Sequence, residues 1–431
     1  MEPGKRFRRK SSLIYHEASR RLARILVLDG HSAAALAVTR SAGQCGHWVA
    51  VGGNRGLFAA TKLSRYCNLG FDYPVSTDDP DVFVDAIVEF VRAHSIDVVI
   101  PITDWTLGPI SLQRERFAGR CRVVMPSQHA LDTVSDKYRT ITLAESFEIG
   151  IPRTDLVESV GDLARWKENR FPVVVKDRFS VRWSNDASTK KKAVFGSVAY
   201  AYSAPELANK VDERLRVASD VLLQEFVSGT GIGFSCFVAG GKTFLPFQWE
   251  RIREVDPRGS ASSARKSIPL DQSLVSLSVR LITEIGFEGV AMVEYKKAAD
   301  GRLILMEING RPWGSIGLPI ACGIDYPRHL IEWCLHGTLP PQSVPYKENI
   351  VCRRVVGELT HLANLRAGPP PHWPSPYPSF WTSLLTMAVP WLPGMCYDDV
   401  WLSDLRPGMA GIGNWFRSRR KGSHEERSRP G

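Results

Sequence analysis

Short apolar runs alternate with amphipathic segments along the first 130 residues of the chain. The runs predict strands at 24–29, 48–51 and 97–102, and the amphipathic segments predict helices at 33–42 and 82–94. Strands that alternate with helices are typical of a parallel sheet that is covered by helices. We therefore predict a parallel-sheet domain over residues 25–126.

A second α/β region begins after Ile151-Pro152. Its strands are predicted at 171–177, 221–227 and 234–238, and its helices at 205–218 and 271–286. The first of these strands is apolar up to Lys176, which lies at its end. A further helix is predicted to start with Ser135 or Asp136 as its N-cap.

Two more apolar runs, 290–295 and 303–308, flank an Asp-Gly pair at 300–301. This pair suits a two-residue type I′ turn, so the runs predict a β-hairpin. Such a turn sets Glu294 directly opposite Glu307. Like charges there are destabilising, because the Cβ atoms of cross-strand neighbours lie about 5 Å apart.

Asn309 lies two residues beyond Glu307 and therefore points to the same face of the hairpin. Two carboxylates and an amide oxygen that converge in this way need a cation, and an all-oxygen set suits Mg²⁺. The alternative is a solvent-facing strand pair with scattered acids. The apolar residues of the opposite face favour the metal site.

The formal net charge of +10 is carried by the two ends of the chain. Residues 1–24 contribute +6 and residues 417–431 contribute +4, so residues 25–416 are neutral overall. A neutral body argues against a nucleic-acid-binding core, and we expect no nucleic-acid partner. We predict that both basic tails are solvated and disordered, with attraction to anionic surfaces as the weaker alternative.

The eight cysteines are dispersed and include no Cys-x-x-Cys pair. Because the N-terminus also lacks an apolar signal region, we expect a reducing, cytoplasmic location. The most apolar stretch, 380–395, contains two prolines and is too short to span a membrane. We therefore expect no transmembrane segment.

Three features follow one another in a fixed order: an apolar strand ending in Lys176, an apolar strand running into residues 224–227, and the acidic hairpin. This order resembles the ATP-grasp superfamily over about residues 25–340. The segment Leu305-Met-Glu-Ile-Asn-Gly-Arg-Pro-Trp-Gly-Ser315 is most similar to its carboxylate–amine ligases, and the chain also resembles domains of the carbamoyl-phosphate-synthase type.

The resemblance implies an α/β fold in which a Rossmann-like domain precedes a two-lobed ATP-grasp domain. The expected divisions are a basic tail at 1–24, the Rossmann-like domain at 25–126, the ATP-grasp domain at 127–340, a Pro/Trp-rich segment at 341–416 and a basic tail at 417–431.

The resemblance also implies a site for ATP and two Mg²⁺ ions, with Mn²⁺ as an alternative metal. Glu294, Glu307 and Asn309 would hold the metal ions. Arg311 would be a catalytic residue that binds the substrate carboxylate and then the acyl phosphate, since a guanidinium fork fits both groups.

Two lysines are implied as phosphate ligands, Lys137 and Lys176, and Lys176 is also implied as catalytic. Without the family pattern, Lys137 would be interpreted as an exposed helix lysine. The adenine is expected to lie against the hinge formed by Gln224, Glu225, Phe226 and Val227.

One segment departs from the family pattern. The loop that covers the phosphates is usually glycine-rich, but residues 178–198 contain only Gly196 together with the basic run 190–192. Either basic side chains replace backbone amides as phosphate donors, or the loop is a solvated excursion. The sequence favours neither alternative.

The implied function is an ATP-dependent ligase that joins a carboxylate to an amine through an acyl phosphate. Its partners would be small-molecule carboxylate and amine substrates, and a homo-oligomer is compatible with the sequence. A non-catalytic, regulatory ATP-binding module is the alternative. It is based on the glycine-poor loop and on Gly231-Ile-Gly233, which lies near the point where many ATP-grasp relatives have an acid that binds the ribose hydroxyls. A nucleic-acid-binding protein ranks third because the body of the chain is neutral.

Overall fold

A computed structural model describes residues 22–166, 171–182, 194–195, 198–389 and 392–427. The first domain contains β1 (Arg24–Val27), α1 (Ala33–Gln44), β2 (Trp48–Asn54), β3 (Leu69–Tyr73), α2 (Pro80–Ala93), β4 (Val98–Ile100), α3 (Asp104–Leu112) and β5 (Arg122–Val123). Its five strands form a parallel sheet in the order β3-β2-β1-β4-β5. The predicted parallel sheet is confirmed.

A smaller antiparallel lobe follows the first domain. Its elements are α4 (Gln128–Ser135), α5 (Lys137–Ser146), β6 (Thr154–Val157), β7 (Val173–Lys176), β8 (Val181–Arg182), β9 (Val194–Phe195), β10 (Val198–Ala201), α6 (Ala204–Leu215) and β11 (Val221–Glu225). Four strands form a sheet in the order β10-β7-β11-β6. Asp136 is the N-cap of α5, where its carboxylate accepts from the backbone N–H groups of Tyr138 and Arg139.

The large lobe contains β12 (Thr230–Ala239), β13 (Lys242–Glu254), β14 (Ser262–Ser267), α7 (Gln272–Glu284), β15 (Gly289–Lys297), β16 (Leu303–Asn309), α8 (Gly317–Cys322), α9 (Tyr326–His336), β17 (Val351–Arg353), α10 (Val355–Leu365), α11 (Phe380–Ala388), β18 (Met395–Tyr397) and α12 (Leu405–Arg427). Its seven-stranded sheet has the order β16-β15-β12-β13-β14-β17-β18. A parallel-sheet domain followed by two antiparallel lobes is the predicted architecture, which is therefore confirmed.

One hydrophobic core joins the first domain to the large lobe. Val27 and Val51 of the parallel sheet belong to the same buried cluster as Phe237 and Val290 of the seven-stranded sheet. Helix α1 packs against α9 in this cluster. Because the two domains share a core, the carboxyl edge of the parallel sheet has a defined position beside the acidic hairpin.

The C-terminal segment extends the large sheet and then returns to the first domain. β17 pairs with β14, and β18 pairs with β17, so two strands of the predicted Pro/Trp-rich segment are part of the main sheet. Arg265 of β14 forms a buried ion pair with Asp398, at 2.5 Å. Farther along, Asp404 forms a buried ion pair with Arg40 of α1, at 2.9 Å.

The ends of the chain differ in how far the structure describes them. Most of the predicted tail at 1–24 lies outside the described residues. At the other end, α12 continues through Arg427, so residues 417–427 are helical where we had predicted a disordered tail. No helix among the described residues has both the length and the apolarity to cross a membrane.

Replacement of Asp404 by alanine should destabilise the protein strongly. The change leaves the Arg40 guanidinium buried without its ion-pair partner, which costs roughly 3–5 kcal/mol in the free energy of unfolding. Urea denaturation measures this difference. Asp72→Ala is the matched control, because it removes an exposed ion pair with Lys62 that is worth about 0–1 kcal/mol. Equal losses for the two variants would contradict the structural role of Asp404.

Candidate functional site

The acidic hairpin is formed by β15 and β16, and Glu294 lies directly opposite Glu307, as predicted. The turn differs from the prediction. The backbone N–H of Ala298 donates to the carbonyl of Arg302, so the loop has three residues, 299–301. Gly301 has a φ of 86°, the left-handed conformation that glycine supplies in three-residue hairpin loops.

A β-bulge restores the predicted pairing of the two acids. The longer loop shifts the register by one residue, so that Tyr295 pairs with Leu305. Met306 is then the extra residue in β16, and beyond it Glu294 pairs with Glu307. The pairing was correct although the predicted turn was wrong, because the three-residue loop and the bulge compensate each other.

Cationic and amide groups surround the two acids. Arg251 of β13 forms an ion pair with Glu294, and it also donates to Glu254 Oε1 at 2.9 Å. On the other side, Asn309 Nδ2 donates to Glu307 Oε1 at 3.0 Å. Each predicted metal ligand is therefore held by a neighbour, and the three side chains lie together on one face.

The pKa of Glu294 shows that a buried negative charge beside Glu307 is unfavourable. Burial raises the pKa of Glu294 to about 7, the neighbouring Arg251 guanidinium opposes the shift, and the Glu307 carboxylate adds to it. A buried carboxyl beside a second carboxylate favours its neutral form unless another cation is present. The pair is thus predisposed to bind positive charge.

The two predicted phosphate lysines both approach Glu307. Burial lowers the pKa of Lys176 to about 8, and the Glu307 carboxylate opposes that shift. Burial likewise lowers the pKa of Lys137, whose Nζ donates to Ser180 Oγ at 3.1 Å. Lys137 is therefore half-buried at the site and is not the exposed helix lysine that local sequence alone would suggest.

The predicted hinge is partly engaged by structural contacts. Glu225 exchanges hydrogen bonds with Arg153, since its backbone N–H donates to the Arg153 carbonyl and its Oε1 accepts from the Arg153 N–H, each at 3.0 Å. Gln224 Nε2 donates to Thr154 Oγ1 at 3.0 Å. The carbonyl of Val227 accepts from Lys296 Nζ at 2.9 Å, a contact that the sequence analysis missed.

An aromatic cluster covers the hinge, and the C-terminal segment supplies one of its rings. Trp373 lies edge-to-face on Phe226 and on Tyr200, with ring centroids 5.0 and 5.4 Å apart. Ser375 donates to Ser228 Oγ at 2.8 Å beside this cluster. The role of Trp373 could not be recognised from sequence, because about 150 residues separate it from the hinge.

Arg311 is clamped by the first domain. Its Nε and Nη2 donate to the two carboxylate oxygens of Asp104, each at 2.9 Å. Asp104 is the first residue of α3, just past the carboxyl end of β4, where open α/β sheets bind ligands. The guanidinium therefore already holds a carboxylate in the bidentate geometry that Arg favours.

Two cavities meet at the acidic face. One, of about 430 Å³, is lined by nine of the ten predicted site residues: Lys176, Gln224, Glu225, Phe226, Val227, Glu294, Glu307, Asn309 and Arg311. The other, of about 1070 Å³, is lined by the tenth, Lys137, and also by Asp104. Glu307, Asn309 and Arg311 line both cavities. The structure thus brings all ten predicted residues to the two cavities.

The donor set fits a hard divalent cation. Two carboxylates and one amide converge on a cavity wall, and the described residues contain no cluster of three or more acidic, histidine or cysteine ligands. Mg²⁺ is usually bound by one or two carboxylates and completes its shell with water and substrate phosphates. Glu294, Glu307 and Asn309 suit that mode of binding.

Two further basic residues have structural partners. Arg178, which opens the glycine-poor loop, forms ion pairs with Asp136 and Asp220 at 2.7 and 3.3 Å. Arg265 of β14 is buried and pairs with Asp398. The run of lysines at 190–192 lies outside the described residues.

A family model described as "ATP-grasp in the biosynthetic pathway with Ter operon" matches residues 218–357. This range contains the hinge, the acidic hairpin and Arg311. A search of curated protein sequences found no significant match.

Solved structures share the fold at low sequence identity. A biotin carboxylase–beta-gamma-ATP complex from Campylobacter jejuni is 14% identical, with a TM-score of 0.60 over 76% of this chain and 74% of that chain. The biotin carboxylase domain dimer of Hydrogenobacter thermophilus 2-oxoglutarate carboxylase, with MgADP, ADP and bicarbonate, is 15% identical, with a TM-score of 0.59 over 77% and 74%. The L-amino acid ligase from Bacillus licheniformis is 14% identical, with a TM-score of 0.54 over 74% and 75%.

The Lys176 ammonium should titrate with a pKa near 8, and removal of the Glu307 charge should lower that pKa further. The Glu307 carboxylate stabilises the protonated form of Lys176 and so partly offsets the lowering of its pKa by burial. Glu307→Gln removes this offset. NMR of reductively ¹³C-methylated protein follows the titration, and Lys176→Arg assigns the resonance by its loss. An unchanged midpoint in Glu307→Gln would contradict the proximity of the two groups.

Proposed function

We propose that this chain, an ATP-grasp superfamily protein by its family match and its fold, is an ADP-forming ligase that joins a carboxylate to an amine. One observation carries the proposal. Lys176, the segment 224–227 and the paired acids Glu294 and Glu307 line one cavity, and Arg311, which is hydrogen-bonded to Asp104, lies where this cavity meets a second one.

ATP would occupy the cavity of about 430 Å³, with its adenine toward the hinge and its phosphates toward Lys176. Mg²⁺ held by Glu294, Glu307 and Asn309 would neutralise phosphate charge during transfer, with Mn²⁺ as an alternative. The Lys176 ammonium would add a positive charge beside the same phosphates.

The substrate carboxylate would enter from the larger cavity and attack the γ-phosphorus of ATP. The bond between that phosphorus and the bridging oxygen breaks, which releases ADP and leaves an acyl phosphate. The amine nitrogen then attacks the acyl carbon, phosphate leaves, and the nitrogen loses a proton. No side-chain nucleophile is needed, since positioning and charge stabilisation supply the rate.

Arg311 would orient the carboxylate during the first step. The Asp104 carboxylate accepts hydrogen bonds from Nε and Nη2 at 2.9 Å and so fixes the position of the guanidinium, whose Nη1 would donate to the substrate carboxylate. Arg311 also lines both cavities, so a group bound to it lies between the nucleotide and the larger cavity. We therefore assign carboxylate binding to Arg311.

The similar structures represent more than one chemistry. L-amino acid ligase, by its name, joins amino acids, whereas the other two proteins are biotin carboxylases. The amide-forming assignment for this chain rests on the carboxylate–amine pattern at residues 305–315. The dispersed cysteines support a cytoplasmic location, and a homo-oligomer remains part of the proposal.

Glu307→Gln should abolish ADP formation in assays with ATP, Mg²⁺ and a panel of carboxylates and amines. The loss should be on the order of a thousandfold, because metal ions contribute several kcal/mol to stabilisation of the transition state. ADP and phosphate are measured by coupled assays, and products by mass spectrometry. Glu284→Gln, an exposed acid at the end of α7, is the matched control and should keep full activity.

The assay separates the alternatives. Wild-type protein that binds ATP but forms no ADP with any carboxylate and amine would favour a non-catalytic module. ADP formation that needs bicarbonate instead of an amine would indicate carboxylation chemistry. Retained turnover in Glu307→Gln would contradict the metal assignment.

Trp373→Ala should weaken ATP binding roughly tenfold, with little change in kcat. The indole packs on Phe226 and Tyr200, which line the proposed nucleotide cavity, so its removal frees both rings; each edge-to-face contact that positions them is worth about 0.5–1.5 kcal/mol. If bound ATP and the transition state lose the same binding energy, KM rises and kcat does not change. Calorimetry gives the dissociation constant, and steady-state kinetics gives KM for ATP.

Trp381→Ala provides the control for a tryptophan of the same segment. Its side chain is 70% exposed on α11, where its ring contacts Phe380. Equal ATP affinity in the Trp373 and Trp381 variants would show that the cluster does not form part of the nucleotide site.

A further inference from the structure

Helix α12 packs on the body of the protein through one narrow face. Gly408 approaches the chain so closely that an added Cβ would lie 2.6 Å from the carbonyl oxygen of Asp399. Trp415, seven residues later, donates from Nε1 to Thr360 Oγ1 at 3.0 Å. Positions that are seven residues apart lie on the same side of a helix, so this side faces inward.

A second face of α12 is apolar and exposed. Leu405, Met409, Ile412 and Phe416 follow the i, i+4, i+7, i+11 spacing of an apolar helix stripe. Leu405 is 42%, Met409 60% and Phe416 51% exposed, and Ile412 is half-buried. An exposed stripe of this length, which no described residue of the chain covers, indicates an interaction surface.

Basic side chains border this stripe. At about 100° per residue, Arg406 and Arg420 lie on one side of it and Arg419 on the other. All three are exposed. Residues 405–424 contain five Lys/Arg and no Asp or Glu.

We propose that this face of α12 binds an anionic lipid surface, with the apolar stripe in the interface and the arginines at the headgroups. An amphipathic helix with aromatic and aliphatic residues on one face and Lys/Arg around them binds membranes in this way. Charge complementarity selects this partner over a second copy of the chain. In a two-fold dimer through α12, the stripe of one copy would meet its own equivalent and the arginines would repel one another.

The 3₁₀ helix Ala60–Leu63 of the first domain packs against α12, and its Leu63 is exposed. The buried pair of Asp404 with Arg40 also ties the first domain to the C-terminal segment. Binding at this face would attach the whole enzyme peripherally. The proposal does not depend on ATP chemistry, and its test uses no nucleotide.

Co-sedimentation of the full-length protein with vesicles tests the proposal. Wild-type protein should sediment with phosphatidylcholine vesicles that contain phosphatidylserine, and at least tenfold less with phosphatidylcholine alone. The double variant Met409→Glu/Phe416→Glu should lose this binding. The triple variant Arg406→Gln/Arg419→Gln/Arg420→Gln should bind roughly a hundredfold more weakly, since each arginine near an anionic surface contributes about 1 kcal/mol, or about fivefold.

Val217→Glu is the control, because it places a charge at a 66% exposed apolar position after α6 in the smaller lobe. It should bind vesicles like the wild type. Circular dichroism and the unfolding midpoint show whether each variant is folded. The proposal would be overturned if the wild-type protein did not bind anionic vesicles, or if Met409→Glu/Phe416→Glu bound them as strongly as the wild type. Wild-type self-association without vesicle binding, lost in the double variant, would equally overturn it in favour of a protein interface.

Discussion

The side-by-side placement of Glu294 and Glu307 is the constraint around which the site is organised. Two carboxylates on neighbouring strands in a partly buried wall are unstable alone. Arg251 approaches from β13, and Lys176 approaches from the opposite lobe. The charges of both lobes therefore converge on one hairpin, beside the cavity proposed for the nucleotide.

The hairpin that carries Glu294 and Glu307, and the segment that carries Arg311, are both fixed by contacts outside the site. The hairpin is the edge of a seven-stranded sheet whose core is continuous with the first domain. Arg311, just after β16, is held by Asp104 from the first domain. The C-terminal segment completes the arrangement, since it adds two strands to the sheet and fastens α1 through the buried pair of Arg40 with Asp404.

The outcome at the hairpin shows how far local sequence reasoning extends. The apolar runs and the glycine turn predicted a hairpin, and the pairing of Glu294 with Glu307 was correct. The three-residue loop and the bulge at Met306 were not predicted, because local pattern does not distinguish turn lengths that differ by one residue. The register was right only because these two deviations compensate.

The sequence by itself determined the main elements and the positions of the candidate site residues on them. Hydrophobic periodicity is a local property of the sequence, so it can be recognised without the fold. The position of Lys176 at a strand end is local in the same way, and so is the alternate spacing of Glu307, Asn309 and Arg311. Only the tertiary structure decided that Arg251 faces Glu294, that Asp104 holds Arg311 and that Trp373 covers the hinge. These contacts join residues about 40 to 200 positions apart, and such pairs meet only when the domains pack on a common core.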